Sequence, residues 1–445
     1  MSADASAAGQ INAALGANVA SGAPEVLARH GLGGKLPAAA AFPETPEQAA
    51  AVLALADRLG WGVVPWGGGA GRAAGRVPAR YDLALGTGRL NRLLDLDAEN
   101  LTLTAEAGMT LAEANRLALP HHQCLPLGFG REARSLGGLV AANHTPPRRL
   151  LHGDLRDQLL GLRVATADGR LVRFGRKVIK NVAGYDMNKL YLGSAGMFGL
   201  IVELTFKLAS QPDEEGALLG EFPDAAGALA AAAALYASAL LPSFLFVLDV
   251  DAGAGLRAAL GLPVRPAGWQ LLAGFEGRGQ ALRRQLADTR ALMARHGARQ
   301  VETLGPLPEA AGQCLEQPAP GGAPAALRLR LGMAAADLAP ELERLPRDAA
   351  TLGVAAACVA DYGSGRLLAG LSDPAPGRVA DVAHFISAWR ARVTARQGYL
   401  AVQAAPDDLR ARVHPWGDAG GDFILLCALK AQLDPRGTLS PGRFL

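Results

Sequence analysis

The chain has 445 residues, is 50% hydrophobic and 19% charged, and carries a formal net charge of +3 from 44 basic and 41 acidic side chains. That balance excludes intrinsic disorder, and with no basic run interleaved with aromatics it gives no reason to expect a nucleic-acid partner. At about 100–200 residues per domain the length predicts two or three compact units. Glycine (55) and proline (28) are in excess over the usual share, about 12% for the two together, so where they gather becomes the question to follow along the chain.

The N-terminus, MSADASAAGQINAALGANVA, lacks a basic stretch followed by a compact apolar one, which argues against secretion. The first clear element opens at Thr45-Pro46-Glu47-Gln48. Threonine caps, proline suits the first helical position and Gln48 completes a capping box, so a helix is expected to about Leu59, ending at Gly60. The apolar run 61–66 then reads as a buried strand that delivers the chain into Gly67-Gly68-Gly69-Ala70-Gly71. Strands follow at 81–85 and 101–106, and Thr110 with Glu113 starts a second, shorter helix. From 158 to 174 the pattern is strand, turn, strand around Asp168-Gly169, and a further strand covers 200–208. Residues 209–216 read as a linker.

Beyond the linker, strands near 217–222, 243–250, 268–275 and 298–303 alternate with helices at 224–240 and 277–296. A similar order fills 325–403, with a helix around 377–395, and suggests an α+β cap on an antiparallel sheet. Residues 304–324 read as a Pro/Gly-rich mobile loop, and a helix at 423–432 precedes the terminal tail. The uncharged stretch 225–248 is long enough to span a bilayer, but it is mostly alanine and Pro242 breaks it, so a helix followed by a strand is expected. Cys124, Cys314, Cys358 and Cys427 lie too far apart for a metal or cluster motif, and they read as reduced thiols in a cytoplasmic protein.

Three small-residue clusters carry the chemistry. Gly67–Gly71 strips side chains from a loop after a buried strand, where backbone N–H groups can converge on an anion; the alternative is a plain tight turn. Two segments, from Gly69 and from Gly128, match the loose G-x-G-x-x-A pattern, but neither has the long helix and later acidic residue that a Rossmann site needs. The second cluster runs from Arg134 through Ser135, Gly137, Gly138 and Ala141 to Asn143. The third runs from Gly184 to Ile201, with Lys180, Tyr185, Asp186 and Lys189 as polar neighbours that either fix the approach to the strand or touch a ligand. A long ligand with a diphosphate and a flat ring system needs close backbone approach at several such points.

The order of Pro65–Gly71, Arg134–Asn143, Gly153–Gly161, Lys180–Asp186 and Gly193–Ile201 resembles the FAD-binding domain of the vanillyl-alcohol oxidase and p-cresol methylhydroxylase family. Lys177–Asp186 and the ending Leu429–Arg443 resemble more particularly the FAD-binding E subunits of glycolate oxidases. The resemblance implies an α+β fold, with a two-subdomain FAD-binding domain and a smaller cap built on an antiparallel sheet. It divides the chain into an N-terminal segment (1–36), the FAD domain (37–212), a cap (213–410) and a C-terminal segment (411–445) returning to the FAD domain. It implies FAD contacts from Gly67, Gly68, Gly69, Ala70, Gly71, Gly128, Ser135, Gly137, Gly138, Ala141, Asn143 and Ile201. The first loop has no histidine for covalent attachment, so dissociable FAD is expected.

Relatives that act alone on 2-hydroxy acids carry a histidine-rich segment late in the chain. Here 413–422 holds only His414, so no multi-histidine metal site is available there. His414 reads mostly as a surface or packing residue and only weakly as a catalytic base, and His121-His122 as a loop pair. The resemblance therefore implies one subunit of a complex oxidising a small 2-hydroxy acid. A paralogous FAD-binding catalytic subunit and an iron–sulfur subunit would be its partners, with peripheral membrane association through them. The alternatives are a self-sufficient dehydrogenase of a hydroxy acid or sugar alcohol, and a flavin-binding scaffold with no substrate chemistry.

Overall fold

The computed structural model describes residues 6–129, 133–175, 185–264, 268–375, 377–417 and 421–445. Lys180 and much of 177–186, Gly130 of the second G-x-G-x-x-A match, and Asp418 lie outside the described residues. Among the described residues a four-stranded, a five-stranded and an eight-stranded sheet, with one two-stranded pair, organise the chain. The first holds β1 (Ala20–Ser21), β2 (Ala39–Ala41), β3 (Val63–Trp66) and β4 (Leu83–Gly86) in the order β1-β2-β4-β3. Its β2, β3 and β4 run parallel because a helix, Pro46–Leu59, makes the crossover from β2 to β3. That helix is capped by the Thr45 hydroxyl, which accepts the Gln48 N–H, and it ends on a left-handed Gly60. The Gln48 side chain reaches the N–H of Glu44, one residue before the position a capping box requires.

The second sheet is antiparallel and contains β5 (Leu93–Asp97), β6 (Thr102–Glu106), β8 (Leu159–Ala165), β9 (Leu171–Gly175) and β10 (Leu200–Lys207) in the order β5-β6-β10-β8-β9. The Asp168-Gly169 turn joins β8 to β9 as expected, with Gly169 at φ +83°. Between β6 and β8 the two-residue β7 (Gln123–Cys124) pairs with β11 (Ala209–Ser210).

The third sheet has eight antiparallel strands: β12 (Glu214–Phe222), β13 (Phe244–Leu248), β14 (Trp269–Gly277), β15 (Gln300–Leu304), β16 (Leu327–Gly332), β17 (Ala356–Asp361), β18 (Arg366–Leu371) and β19 (Tyr399–Ala404). Their order is β15-β12-β14-β13-β17-β18-β16-β19. One face is buried under the helices Ala225–Tyr236, Gly279–Arg295, Leu338–Thr351 and Val379–Thr394, where Leu327, Leu329 and Leu331 of β16 point into the core.

Three expectations are corrected. The linker at 209–216 contains β11 and the start of β12, because Glu214 and Glu215 pair in register with Gly277 and Glu276 of β14. The loop at 304–324 contains a helix, Glu309–Glu316, which buries Ala311, Gly312 and Leu315 and is followed by a 3-10 turn at Pro320–Gly322. Its prolines lie outside the helix proper, Pro308 at the N-cap, where proline costs nothing. The strand expected to reach 250 stops at Leu248, and Asp249 caps a helix over Val250–Ala259. No described helix is long and apolar enough to cross a membrane.

The large sheet is fastened to the rest by side chains. Phe129 stacks edge-on against Phe244, ring centres 5.1 Å apart. Arg148 pairs with Glu276 and Glu215, each at 2.7 Å, and His152 Nε2 lies 2.7 Å from Glu276. Burial works against the charged Glu276, but His152 and Arg148 outweigh it and hold its carboxyl below the usual range. Arg134 reaches Glu316 at 2.9 Å.

Candidate functional site

The three small-residue clusters converge. A Cβ on Gly67 would lie 2.5 Å from the Ser135 hydroxyl oxygen, one on Gly193 would lie 3.1 Å from Asn143 Cβ, and one on Gly196 would lie 2.7 Å from Pro65 Cγ. The first cluster thus rests on the second, and the third closes against both. Ser135 caps the short helix Leu136–Ala141 by accepting the Gly138 N–H, and the Gly137 N–H donates to the Ala107 carbonyl at 2.8 Å. Asn143 takes the left-handed conformation, φ +48°, that asparagine tolerates, and Ala195 N–H donates to the Ala141 carbonyl at 2.9 Å.

The first loop has the property an anion cradle requires. None of the N–H groups of Gly67, Gly68, Gly69, Ala70 and Gly71 donates to an acceptor among the described residues. Five successive unmatched donors at the end of a buried strand need a ligand or water as partner. The loop lines a cavity of about 770 Å³ whose walls include Arg29, Arg72 and Arg328 and, among the described residues, no carboxylate. Beneath it Trp66 Nε1–H donates to the Tyr81 hydroxyl at 3.0 Å, which donates to the His30 carbonyl at 2.5 Å. Burial pushes the Tyr81 phenol up to about 12, so it remains a donor. The His30 ring stands edge-on to Trp66, centres 4.9 Å apart, and faces the same cavity.

The opposite wall belongs to the large sheet. Arg328 and Arg330 of β16 project from the face away from the core, and Arg366 of β18 joins them because it pairs with Gly332; of the three Arg328 lines the cavity, and Arg366 lies 3.7 Å from Asp154. Arg328 donates to Gln317 Oε1 at 2.8 Å, and Arg330 lies over the Tyr399 ring at 5.9 Å. Arg330 Nε and Arg366 Nη1 are buried without a hydrogen-bond partner among the described residues. Burial lowers the pKa of Arg328 and of Arg330, and for Arg330 the neighbouring Arg366 adds to it. Cations held this way have unused capacity for an anion.

Other expected positions fall elsewhere. Gly128 is half-buried in the segment that sends Phe129 into the large sheet's core. Ile201 is buried in β10, paired with Val164 beside a bulge at Val202. His414 Nδ1 accepts the Trp416 N–H at 3.2 Å, and its ring stands edge-on to Phe423 at 6.4 Å; it does not line the glycine-loop cavity. His121 and His122 are exposed at a 3-10 turn. Tyr185 is 95% exposed and Lys189 pairs with Asp186 at 3.1 Å. No three metal-ligating side chains come together among the described residues. Arg29, His30, Arg328, Arg330 and Arg366 were not foreseen. The alternation Leu327-Arg-Leu-Arg-Leu331 did carry a signal, since a strand with one leucine face must put both arginines on the other.

Residues 37–175 match the model of an FAD binding domain, and residues 211–313 match that of the C-terminal domain of FAD-linked oxidases. The fold is that of p-cresol methylhydroxylase, whose substrate-bound structure superposes with a TM-score of 0.78 at 15% identity, over 97% of this chain and 95% of that one. A D-2-hydroxyglutarate dehydrogenase of Xanthomonas citri pv. viticola is 35% identical over 214 residues, 48% of this chain and 45% of its own length. Glycolate oxidase subunit GlcE of Escherichia coli is 38% identical over 123 residues, 27% of this chain and 35% of its own. The chain thus matches less than half the length of these curated relatives. The matched FAD model covers the glycine loop and the second cluster, and FAD fits them. Among the described residues its diphosphate has five free N–H donors and a cavity without a carboxylate at the loop.

Proposed function

Since the chain carries an FAD binding domain followed by the C-terminal domain of FAD-linked oxidases, we propose that it is the FAD-binding subunit of a glycolate or related 2-hydroxy acid dehydrogenase complex. The observation that carries this reading is the pairing of two anion-seeking features at one cavity: free N–H groups of Gly67–Gly71 on one side and, on the other, Arg328, with the under-bonded Arg330 and Arg366 behind it on the same face of the sheet. The first suits the diphosphate of FAD. The second suits the carboxylate that every 2-hydroxy acid carries, since guanidinium groups bind carboxylates through paired N–H donors.

Bound FAD supplies an acceptor for two electrons from the substrate carbinol. The chain's own part is to hold the flavin by its diphosphate, orient the acid by its carboxylate and exclude water with the wall formed by β16, β18 and β19. His414 is the weak candidate for the base that takes the C2 hydroxyl proton; its Nδ1 accepts the Trp416 N–H. Conversion of the C2 alcohol to a carbonyl releases two electrons and two protons. No cysteine spacing in the chain provides an iron–sulfur relay, so the electrons leave through an iron–sulfur partner, beside a paralogous flavoprotein subunit. In this reading residues 37–212 are the flavin domain, 213–410 the cap, and 411–445 return to the flavin domain.

The test is to purify the chain alone and with its co-purifying partners, load FAD, and add glycolate, D-lactate or D-2-hydroxyglutarate without oxygen. Bleaching of the flavin band by one acid in both preparations supports a substrate site on this chain. Bleaching only in the complex, and unchanged by loss of FAD from this chain, makes it a flavin-binding scaffold. Absence of any flavin band after FAD addition overturns the reading.

A further inference from the structure

The last residues of the chain are tied to the glycine loop. Val63 of β3 donates to the Thr438 carbonyl and Ser440 N–H donates back to the Val63 carbonyl, both at 2.7 Å, so the tail runs beside the strand that delivers the loop. Further on, Ala79 N–H donates to Pro441 O and Arg76 N–H to Arg443 O, each at 2.8 Å. The Arg443 side chain then turns under the loop's exit, where Nη2 donates to the carbonyls of Arg72 at 3.1 Å and Ala74 at 2.6 Å. The tail is itself anchored through Lys430, which donates to Met197 O, Leu439 O and Asp434.

Arg443 is an unusual tether. Only 6% of it is exposed, it has no carboxylate partner among the described residues, and its Nε has no acceptor among them. Its near neighbours are the Phe444 ring at 5.2 Å and, by charge, Tyr81 and Arg410. Burial, with Arg410 adding to it, brings its pKa down to about 10, still far above neutrality. A cation buried with only carbonyl partners is costly unless an anion shares its field.

The carbonyl contacts have a directional consequence. In a trans peptide the C=O and the following N–H point opposite ways. Capture of the Arg72 carbonyl by Arg443 therefore aims the Ala73 N–H to the other side, and Ala73 lines the cavity with an N–H that has no acceptor among the described residues. We propose that Arg443 is a positioning residue for FAD: from beneath the loop it orients the Ala73 N–H toward the diphosphate and supplies the buried positive charge that offsets it. This rests on the reading of Gly67–Gly71 as the diphosphate cradle.

The experiment measures binding of FAD, ADP and riboflavin to the apoprotein by fluorescence, for Arg443→Gln, Arg443→Lys and Gly71→Glu, with the apoprotein melting temperature recorded alongside. Riboflavin carries the ring without the diphosphate. A Cβ at Gly71 meets nothing within 4 Å, so Gly71→Glu adds a carboxylate to the loop without a clash. The expected result is that Arg443→Gln weakens FAD and ADP by about tenfold or more, that Arg443→Lys recovers part of it, and that riboflavin shifts by less than about twofold. Equal losses for riboflavin and FAD, or an unchanged FAD affinity in Arg443→Gln while Gly71→Glu weakens it, overturn the role of Arg443 alone. Unchanged FAD affinity in Gly71→Glu overturns the cradle beneath it. If Arg443→Gln does not fold, Arg443→Lys decides by the same FAD-to-riboflavin ratio.

Discussion

The two walls of the cavity are built on opposite principles. The glycine-loop wall presents main chain and is held by close approaches that leave no room for side chains, as at Gly67 over Ser135 and Gly196 over Pro65. The arginine wall presents side chains from a sheet whose other face is an ordinary leucine core. A wall made of backbone binds whatever matches its fixed donors and cannot be retuned one residue at a time. A wall made of side chains can change its ligand without changing the fold.

The largest effect is expected where the backbone wall is overfilled. A Cβ on Gly137 would sit 2.7 Å from Ala107 Cβ and 2.9 Å from its carbonyl oxygen, so Gly137→Val should cost about 3 kcal/mol or more in urea unfolding. An unchanged midpoint would show that this wall relaxes and would break the contrast. The arginine wall should behave in the reverse sense. Arg328→Met and Arg330→Met remove half-buried cations that no carboxylate pairs among the described residues, so stability should hold or rise by about 1 kcal/mol while KM for the hydroxy acid rises by about tenfold to a hundredfold. FAD affinity should stay within about twofold. Loss of FAD with an unchanged KM would assign those arginines to the cofactor instead.

The smallest effect sharpens the comparison within the large sheet's domain, through Asp249. Burial pushes this carboxyl up to about 7, against the Ala252 and Cys358 hydrogen bonds and with Asp251 adding to the rise. A folded pKa above the unfolded one means the native state binds the extra proton between about pH 4 and 7, so stability falls as pH rises through that window. Asp249→Asn keeps the cap on the Ala252 N–H and should raise the melting temperature at pH 8, by about 1 kcal/mol or more in stability, with little change at pH 5. Glu276 runs the other way: its carboxyl is held down, so its contribution is lost as pH falls. Equal effects of Asp249→Asn at both pH values would remove Asp249 as the titrating group.

Much of the flavin side was legible residue by residue. Thr45 and Thr110 cap the helices they were expected to start, Asp168-Gly169 turns the hairpin, and the three small-residue clusters meet. Such signals are local, because a hydroxyl three residues before an N–H or a glycine that must take φ > 0 acts within a few residues. The helix Glu309–Glu316 was not legible, since the prolines and glycines around it mimic a loop while its reason for folding is burial of Ala311 and Leu315 against strands distant in sequence. Nor was the arginine wall, although Leu327–Leu331 showed that two arginines share a face. Nothing in the chain order says that β16 would lie between β18 and β19 and across from Gly67.

The excess of glycine, taken by position, was enough to determine that the chain places a side-chain-free loop after a buried strand and two further small-residue clusters against it, because close backbone approach demands residues without side chains wherever it occurs. Which way that loop faces, that Arg443 reaches beneath it from the far end of the chain, and that Arg328 stands on the wall opposite were decided by tertiary structure alone. Those arrangements are contacts between segments tens to hundreds of residues apart. Their energy depends on burial and charge that exist only once the sheets have closed around the cavity.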